Sequence, residues 1–110
     1  MAPPFTLPPS STTLTVINNP VSYTVDFDQS PSGNPFSITA NPSGGSGSYT
    51  YSWTASPSSD ITLTNTTQQT VSVNVQQTAI GIPYTITCTV NDGSDTATGT
   101  TSLTVNGTPP

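Results

Sequence analysis

The sequence contains no lysine, arginine or histidine, and its charged side chains are five aspartates, which give a net charge of −5. Nucleic-acid binding depends on cationic side chains that neutralise phosphates, so this class of function is excluded. Attraction to an anionic membrane surface is excluded for the same reason. Most catalytic schemes also fail, because the chain lacks a histidine base, a lysine nucleophile and a guanidinium group. The composition predicts a protein that is not an enzyme and uses no cofactor.

Cysteine is almost absent as well, and Cys88 alone cannot form an intrachain disulfide. A reactive thiolate needs a cationic or helix-terminal environment, which this sequence does not offer. We therefore expect Cys88 to behave as a small buried hydrophobic residue rather than as a nucleophile or a redox sensor. The first residues have neither the basic start nor the apolar run of a signal peptide, and no apolar stretch approaches the length of a membrane span.

The length of 110 residues leaves room for one domain. Hydrophobic residues make up only 30% of them, so the core is modest. They are not scattered, however, but alternate with serine and threonine over short stretches. A half-buried strand needs an apolar residue only at every second position, so this low content fits an all-β fold.

The clearest alternation surrounds the single tryptophan. Tyr49, Tyr51 and Trp53 share one face of a predicted strand, which follows a glycine-rich connection over residues 44–48. A second alternating strand is predicted over residues 84–90. The remaining patterns predict further strands, with a hairpin at residues 91–95 and no helix. These strands cover residues 12–17, closed by a turn at Asn18-Asn19-Pro20; 21–27, with Val21, Tyr23, Val25 and Phe27 inward; 36–40, with Phe36, Ile38 and Ala40 inward and an end at Asn41-Pro42; 61–64; 71–75; and 96–105, with Ala97, Leu103 and Val105 inward.

Four segments carry a resemblance: residues 36–40, the glycine loop 44–47, Tyr-x-Tyr-x-Trp at 49–53 and residues 84–90. Together they resemble the PKD and related immunoglobulin-like (Ig-like) repeats of bacterial and phage surface proteins. The resemblance implies an all-β, Ig-like (PKD-like) antiparallel β-sandwich of about seven strands, with Trp53 packed near Cys88. The turn after Trp53 departs from the Asp-Phe-Gly-Asp-like turn common in PKD domains, so the match is to the looser Ig-like relatives.

Two groups of aspartates are candidate sites. Asp92 and Asp95 flank a Gly-Ser turn and could bind Ca²⁺, but Asn-Asp-Gly is ordinary turn chemistry, and we favour the turn. Asp26 and Asp28 are expected on the outward side of their strand, where charge discourages edge-to-edge aggregation. No metal-binding residue is assigned.

Aromatic and glycosylation patterns give two further alternatives. Tyr49, Tyr51 and Trp53 could stack on a sugar if they faced solvent, although we expect the core, with Tyr49 the most exposed of the three. Asn65-Thr66-Thr67 and Asn106-Gly107-Thr108 match the N-glycosylation pattern. Such matches arise easily in a sequence this rich in threonine and asparagine.

The chain divides into a proline-rich extended N-terminal arm (residues 1–11), the Ig-like domain (residues 12–105) and a C-terminal tail (residues 106–110). Phe5 and Leu7 lie between two Pro-Pro pairs in the arm and are the predicted partner-binding residues. We expect a structural protein on the surface of an assembly, namely a bacteriophage capsid decoration protein on the virion surface, attached to the capsid or another lattice through the arm. The alternative is an extracellular or cell-surface PKD-like module, acting as a spacer or as a weak binder of host-surface glycans.

Overall fold

The computed structural model describes residues 13–28 and 34–107, and these form a sandwich of two four-stranded sheets. Residues 1–12, 29–33 and 108–110 lie outside the described part. The strands are β1 (Thr15–Asn19), β2 (Ser22–Asp26), β3 (Phe36–Ser43), β4 (Thr50–Ser56), β5 (Ile61–Thr64), β6 (Thr70–Val75), β7 (Tyr84–Asn91) and β8 (Thr96–Asn106).

The strand order is β1-β3-β6-β5 in one sheet and β2-β8-β7-β4 in the other. All neighbouring strands are antiparallel except β2 and β8, which run parallel. In Ig terms the first sheet corresponds to strands A-B-E-D, and β8-β7-β4 corresponds to G-F-C. The all-β sandwich predicted from the sequence is confirmed, with eight strands in place of about seven and one turn of 3₁₀ helix at Gln77–Ala79. Within the described residues, no helix is long and apolar enough to cross a membrane.

The core lies between the sheets and is filled by the alternate residues that the sequence pattern selects. On β7, every second residue is at most 2% exposed, and the residues between them are threonines that reach the surface or its edge. The same alternation fills the inner faces of β3, β6 and β8. Fully burying one aliphatic side chain contributes about 1.5–3 kcal/mol. The buried hydrophobic residues are Leu14, Val16, Val25, Phe36, Ile38, Ala40, Trp53, Val71, Val73, Val75, Ala79, Tyr84, Ile86, Cys88, Val90, Leu103 and Val105.

Trp53 and Cys88 are direct cross-strand partners in β4 and β7, so their predicted proximity is confirmed. Trp53 is 3% exposed and Cys88 is fully buried. The indole N–H of Trp53 donates to the backbone oxygen of Gln68 at 2.7 Å, which satisfies the one polar atom of the ring. The tryptophan thereby connects β4 to the turn before β6.

The first strand differs from its prediction, because β1 begins at Thr15 and continues through Asn18 and Asn19. The expected turn residue Asn18 is 1% exposed, and its side-chain amide donates to Oγ1 of Thr101 at 3.2 Å. The Asn18 oxygen has no hydrogen-bond partner and lies where a Cβ atom on Gly99 would stand. Asparagine reads as a turn residue in sequence, but here a hydroxyl on the opposite sheet and a glycine beside it accommodate its amide in the core.

The second strand is also shorter than predicted. Val21 was expected to face the core, but it lies before β2 and is 61% exposed. Its backbone oxygen accepts a hydrogen bond from Ser102 where the chain crosses from one sheet to the other. Val25 is buried as expected, whereas Tyr23 and Phe27 are half-buried. Tyr23 stacks on Phe36 with ring centroids 3.8 Å apart, which closes one side of the sandwich.

β3 continues past its predicted end, with Pro42 inside the strand and opposite Val16. The backbone N–H of Ala40 donates to the oxygen of Gln69 on the β6 side. Two residues further on, Pro42 directs its nitrogen to the same side, beyond the last β6 partner, Thr70. The missing N–H of proline therefore costs no ladder hydrogen bond. At the other end of the domain, β8 includes Asn106, one residue past the predicted boundary.

Trp53→Ala should lower the free energy of unfolding by about 3–5 kcal/mol, because it leaves a large cavity between the sheets and an unpaired Gln68 oxygen. Thr54→Ala, at the exposed neighbouring position, is the matched control and should change stability by less than about 0.5 kcal/mol. Urea unfolding of both variants measures the difference. Equal, small losses would contradict the placement of Trp53 in the core.

Candidate functional site

The two ends of the sandwich are the places where loops and chain ends meet. The N-terminal pole consists of Leu14, the glycine loop 44–48 and the hairpin 92–95; Leu14 and Asp92 both approach Gly45 there. The C-terminal pole consists of Phe27, the loop 80–83 and residues 106–107; Gly107 approaches Phe27 there. β7 and β8 run between the two poles.

Asp92 is the polar centre of the N-terminal pole. Its Oδ1 accepts hydrogen bonds from the backbone N–H groups of Ser94 (2.9 Å) and Asp95 (2.7 Å). Its Oδ2 accepts from the N–H of Ser46 at 3.0 Å, and the Ser46 hydroxyl donates back to the Asp92 backbone oxygen at 2.7 Å. One carboxylate thus orders its own hairpin and ties the glycine loop to it.

Gly45 makes this arrangement possible. Its φ of +63° lies in the left-handed region, and a side chain there would collide with Oδ2 of Asp92. Tyr49 supports the same loop, because its hydroxyl donates to the backbone oxygen of Gly44 at 2.8 Å. The glycine run is therefore required by close approach as well as by turn geometry.

The hydrogen bonds from the N–H groups of Asp95, Ser94 and Ser46, in that order of strength, lower the pKa of Asp92 below the ordinary aspartate value. Both carboxylate oxygens are used by these donors, which fits the turn interpretation of Asp92. Asp95 is exposed on the same hairpin. Over residues 13–28 and 34–107, no cluster of three or more acidic, histidine or cysteine side chains could hold a metal ion.

Asp26 and Asp28 lie at the edge strand β2 and in the turn after it. Asp26 is half-buried, and its Oδ1 accepts a hydrogen bond from the backbone N–H of Asp28 at 2.9 Å. The expected outward placement therefore holds for Asp28, which is exposed, and only in part for Asp26.

Cys88 lies in the middle of β7 with no solvent exposure. Burial raises the pKa of its thiol to about 11, although a hydrogen bond with the backbone of Ser52 acts in the opposite direction. The thiol is therefore protonated and shielded at neutral pH, as expected for a packing residue.

Tyr51 and Trp53 of β4, with Tyr49 just before the strand, do not form an open sugar-binding platform. Trp53 is in the core, and Tyr49 and Tyr51 are half-buried and packed against it. Burial also raises the pKa of Tyr51, with smaller contributions from Cys88 and Tyr49. Stacking on a sugar needs an accessible aromatic face, and the packing of these rings removes much of that surface.

Of the two glycosylation patterns, Asn65 is exposed in the turn between β5 and β6, with a φ of +68°. Asn106 is exposed at the end of β8, but Thr108, the third residue of its pattern, lies outside the described residues. Phe5 and Leu7 also lie outside them, so the predicted arm remains a prediction.

One feature of the C-terminal pole was not predicted from the sequence. A shallow groove of about 290 Å³ lies between the loop before β7 and the end of β8. Val105 is buried, Ile82 is half-buried and Pro83 is exposed, and the N–H of Gly81 fixes the loop by donating to the Val105 oxygen at 2.9 Å. In the sequence, Ile82 and Pro83 are the apolar residues that indicate this groove, and they fit a simple turn before β7 equally well. The groove is lined by Gly81, Ile82, Pro83, Thr104, Val105 and Asn106.

Comparison with known proteins supports the fold. No family model matches the sequence, and no curated protein matches it. Among solved structures, the PKD domain of human KIAA0319 matches with a TM-score of 0.59 at 17% identity, covering 97% of this chain and 93% of that one. The fold is therefore PKD-like. Sequence identity at this level shows the fold alone.

Two longer proteins contain a similar PKD-like or Ig-like sandwich. A nucleoside hydrolase-related hypothetical protein from Saccharophagus degradans, associated with carbohydrate metabolism, matches with a TM-score of 0.69 at 20% identity, over 87% of this chain and 26% of that one. The N-terminal four Ig domains of Dscam1 isoform 1.9 match with a TM-score of 0.62 at 18% identity, over 86% and 21%. This chain thus spans about a quarter or less of these two.

Asp92 should make the PKD-like domain sensitive to acid. Its pKa is lowered in the folded protein, so its stabilising effect is present above the unfolded value of about 3.9 and is lost as the pH falls through the folded value. Asp92→Asn should lower the melting temperature at pH 7 and flatten its decline below about pH 4.

Asp95→Asn, on the same hairpin, is the control for this effect and should keep the acid-dependent decline. Thermal unfolding between pH 2 and 7 measures all three proteins. An Asp92→Asn variant that melts like the unchanged protein across this range would contradict the role given to the carboxylate.

Cys88 should not react with thiol reagents while the domain is folded. A pKa of about 11 leaves roughly one thiol in a thousand ionised at pH 8, and burial shields it further. Reaction with a disulfide reagent should therefore proceed at the rate of unfolding and become fast in denaturant. Rapid reaction of the native protein would place the thiol outside the core.

Proposed function

We propose that this chain is a non-enzymatic display module that stands on the surface of a protein assembly, such as a bacteriophage head, and is attached through residues 1–11. The observation that carries the proposal is that the domain's ends leave from opposite poles. Leu14 lies beside the glycine loop, and Gly107 lies beside Phe27. The 11 residues of β8 alone span about 36 Å at 3.3 Å per residue. A partner held at the N-terminal pole would thus be separated from the other pole by the length of the sandwich.

The outer surface supports a passive role. The outward residues of β8 are hydroxyl-bearing except for the terminal asparagine, and with no cation in the sequence they offer no charge on which an anionic partner could dock. Attachment to an anionic partner is therefore unfavourable, and the proposal relies on apolar contact made by the arm. Phe5 and Leu7 are apolar, and the prolines around them reduce the entropy lost when the segment orders on a partner. The exposed outward residues of β8 are Thr96, Thr98, Thr100, Ser102, Thr104 and Asn106.

A second candidate is a spacer within a longer secreted or cell-surface protein. Opposite poles suit a spacer equally well, and two structural neighbours carry the similar sandwich as about a quarter or less of their length. A glycan-binding role has less support, because Tyr49 and Tyr51 pack against the core. The two candidates differ in one respect: a spacer does not need Phe5 and Leu7.

Replacing Phe5 and Leu7 by serine in the full chain tests the display function. Each fully buried apolar side chain contributes about 1.5–3 kcal/mol, so the double variant should bind its parent particle about 10²–10⁴-fold more weakly. Retention on the particle is measured by co-sedimentation, with circular dichroism to confirm folding. Deletion of residues 1–11 should give the same result.

The control for this experiment is Val21→Ser, which changes another exposed apolar residue away from the arm. It should bind normally. Full retention of the folded Phe5→Ser, Leu7→Ser variant would refute attachment through the arm and favour the spacer.

A further inference from the structure

We propose that the groove at the C-terminal pole binds Phe5 and Leu7 of a second copy of this chain, so that copies associate head to tail. The inference rests on the proposed function in one respect, namely that the N-terminal arm is the attachment element. It adds the partner, which is the opposite pole of the same domain.

The groove suits one or two side chains rather than a complete small-molecule ligand. Its volume of about 290 Å³ lies at the lower limit of small-molecule sites, which are roughly 300–1,000 Å³. The loop lines it with Ile82, which is half-buried, and Pro83, which is exposed, and β8 lines it on the other side. The hydrogen bond from Gly81 to Val105 holds this loop against the strand, so the groove is formed before any partner binds. Residues 1–11 supply two apolar side chains, Phe5 and Leu7, on an uncharged and proline-stiffened backbone.

The arm of the same copy is too short to fill this groove. Asn18 lies beside Thr101, so β1 and β8 run side by side and Leu14 is level with about residue 97. The groove at Val105 is eight residues further along β8, or about 26 Å. The arm would have to reverse direction to reach it, and a reversal takes about four residues. Of the nine residues from Phe5 to Leu14, about five would remain, and these span only about 16 Å.

A second copy placed above the N-terminal pole is within reach without any reversal. An extended arm places Phe5 about 28 Å and Leu7 about 22 Å beyond Leu14, at 3.1 Å per residue. This separation also suits the charges. Asp92 and Asp95 belong to the N-terminal pole, and Asp26 and Asp28 precede and follow Phe27 at the other pole, so direct contact between poles is unfavourable. At physiological ionic strength the screening length is about 8 Å, so an uncharged connector of more than 20 Å largely removes the repulsion.

Head-to-tail contact is heterologous, because the two copies use different surfaces. A head-to-tail dimer keeps one free arm on one copy and one free groove on the other, so association continues with concentration rather than stopping at a dimer. With only two apolar anchors, the contact is weak and requires protein at about 0.1–1 mM in solution.

Complementary variants of the full chain test this contact. The arm variant carries Phe5→Ser and Leu7→Ser and keeps its groove. The groove variant carries Ile82→Asp, which places a carboxylate in the apolar lining, and keeps its arm; Pro83→Asp, at the exposed rim, replaces it if Ile82→Asp fails to fold. Val21→Asp is the matched control, because it adds the same charge at an exposed apolar residue outside the groove.

Sedimentation equilibrium should show that the average mass of the unchanged chain and of Val21→Asp rises with concentration. Each complementary variant alone should remain monomeric over the same range of concentration. Their equimolar mixture should form a dimer and stop there, because only one arm and one groove match. A monomeric unchanged chain at 1 mM, self-association by either variant alone, or a mixture that stays monomeric would each overturn the inference.

These outcomes are independent of the parent particle. If the unchanged chain is monomeric but the arm variant is lost from the particle, the display function stands and the inference falls. If the chain associates through the groove but the arm variant stays on the particle, the inference stands and the proposed attachment to the particle falls.

Discussion

Burial of the inner faces of β7 and β8 is the interaction on which the rest of this structure depends. β7 lies between β8 and β4 in its sheet, and its four inward residues, Tyr84 to Val90, are at most 2% exposed. Because the chain is poor in hydrophobic residues, a few central strands must supply much of the core. The hydroxyl of Tyr84 donates to the backbone oxygen of Ser59 at 2.5 Å, so this strand also fixes the loop between β4 and β5.

A second constraint is that the edges of both sheets must be protected from aggregation without lysine, which is a common residue at such edges. Here other features perform that task. β5 has only four residues, β2 carries Asp26, and β1 packs beside β8 through Asn18 and Thr101. On the edge strand β4, the N–H of Trp53 donates to the oxygen of Thr66, so the turn after β5 covers the middle of the strand. A surface without cations is thus compatible with a separate, folded domain.

Polar contacts within the described residues are neutral hydrogen bonds together with those made by aspartate, since the sequence has no cationic side chain. The Asp92 carboxylate accepts hydrogen bonds from three backbone N–H groups, and its negative charge strengthens them. The contact joins the glycine loop, the hairpin and Gly45 into one unit at the N-terminal pole.

The sequence by itself determined the fold class, the core positions of β3, β4 and β7, the hairpin after β7 and the packing role of Cys88. Each of these follows from local alternation or turn chemistry, in which a residue's neighbours along the chain carry the signal. Tertiary structure alone decided the burial of Asn18, the exposure of Val21, the accommodation of Pro42 within β3 and the groove beside Val105. These depend on what faces a residue from another strand: a hydroxyl and a glycine for Asn18, a crossing between sheets for Val21, and a strand that has already ended for Pro42. Such partners are distant in sequence, and the alternation within one segment contains no information about them.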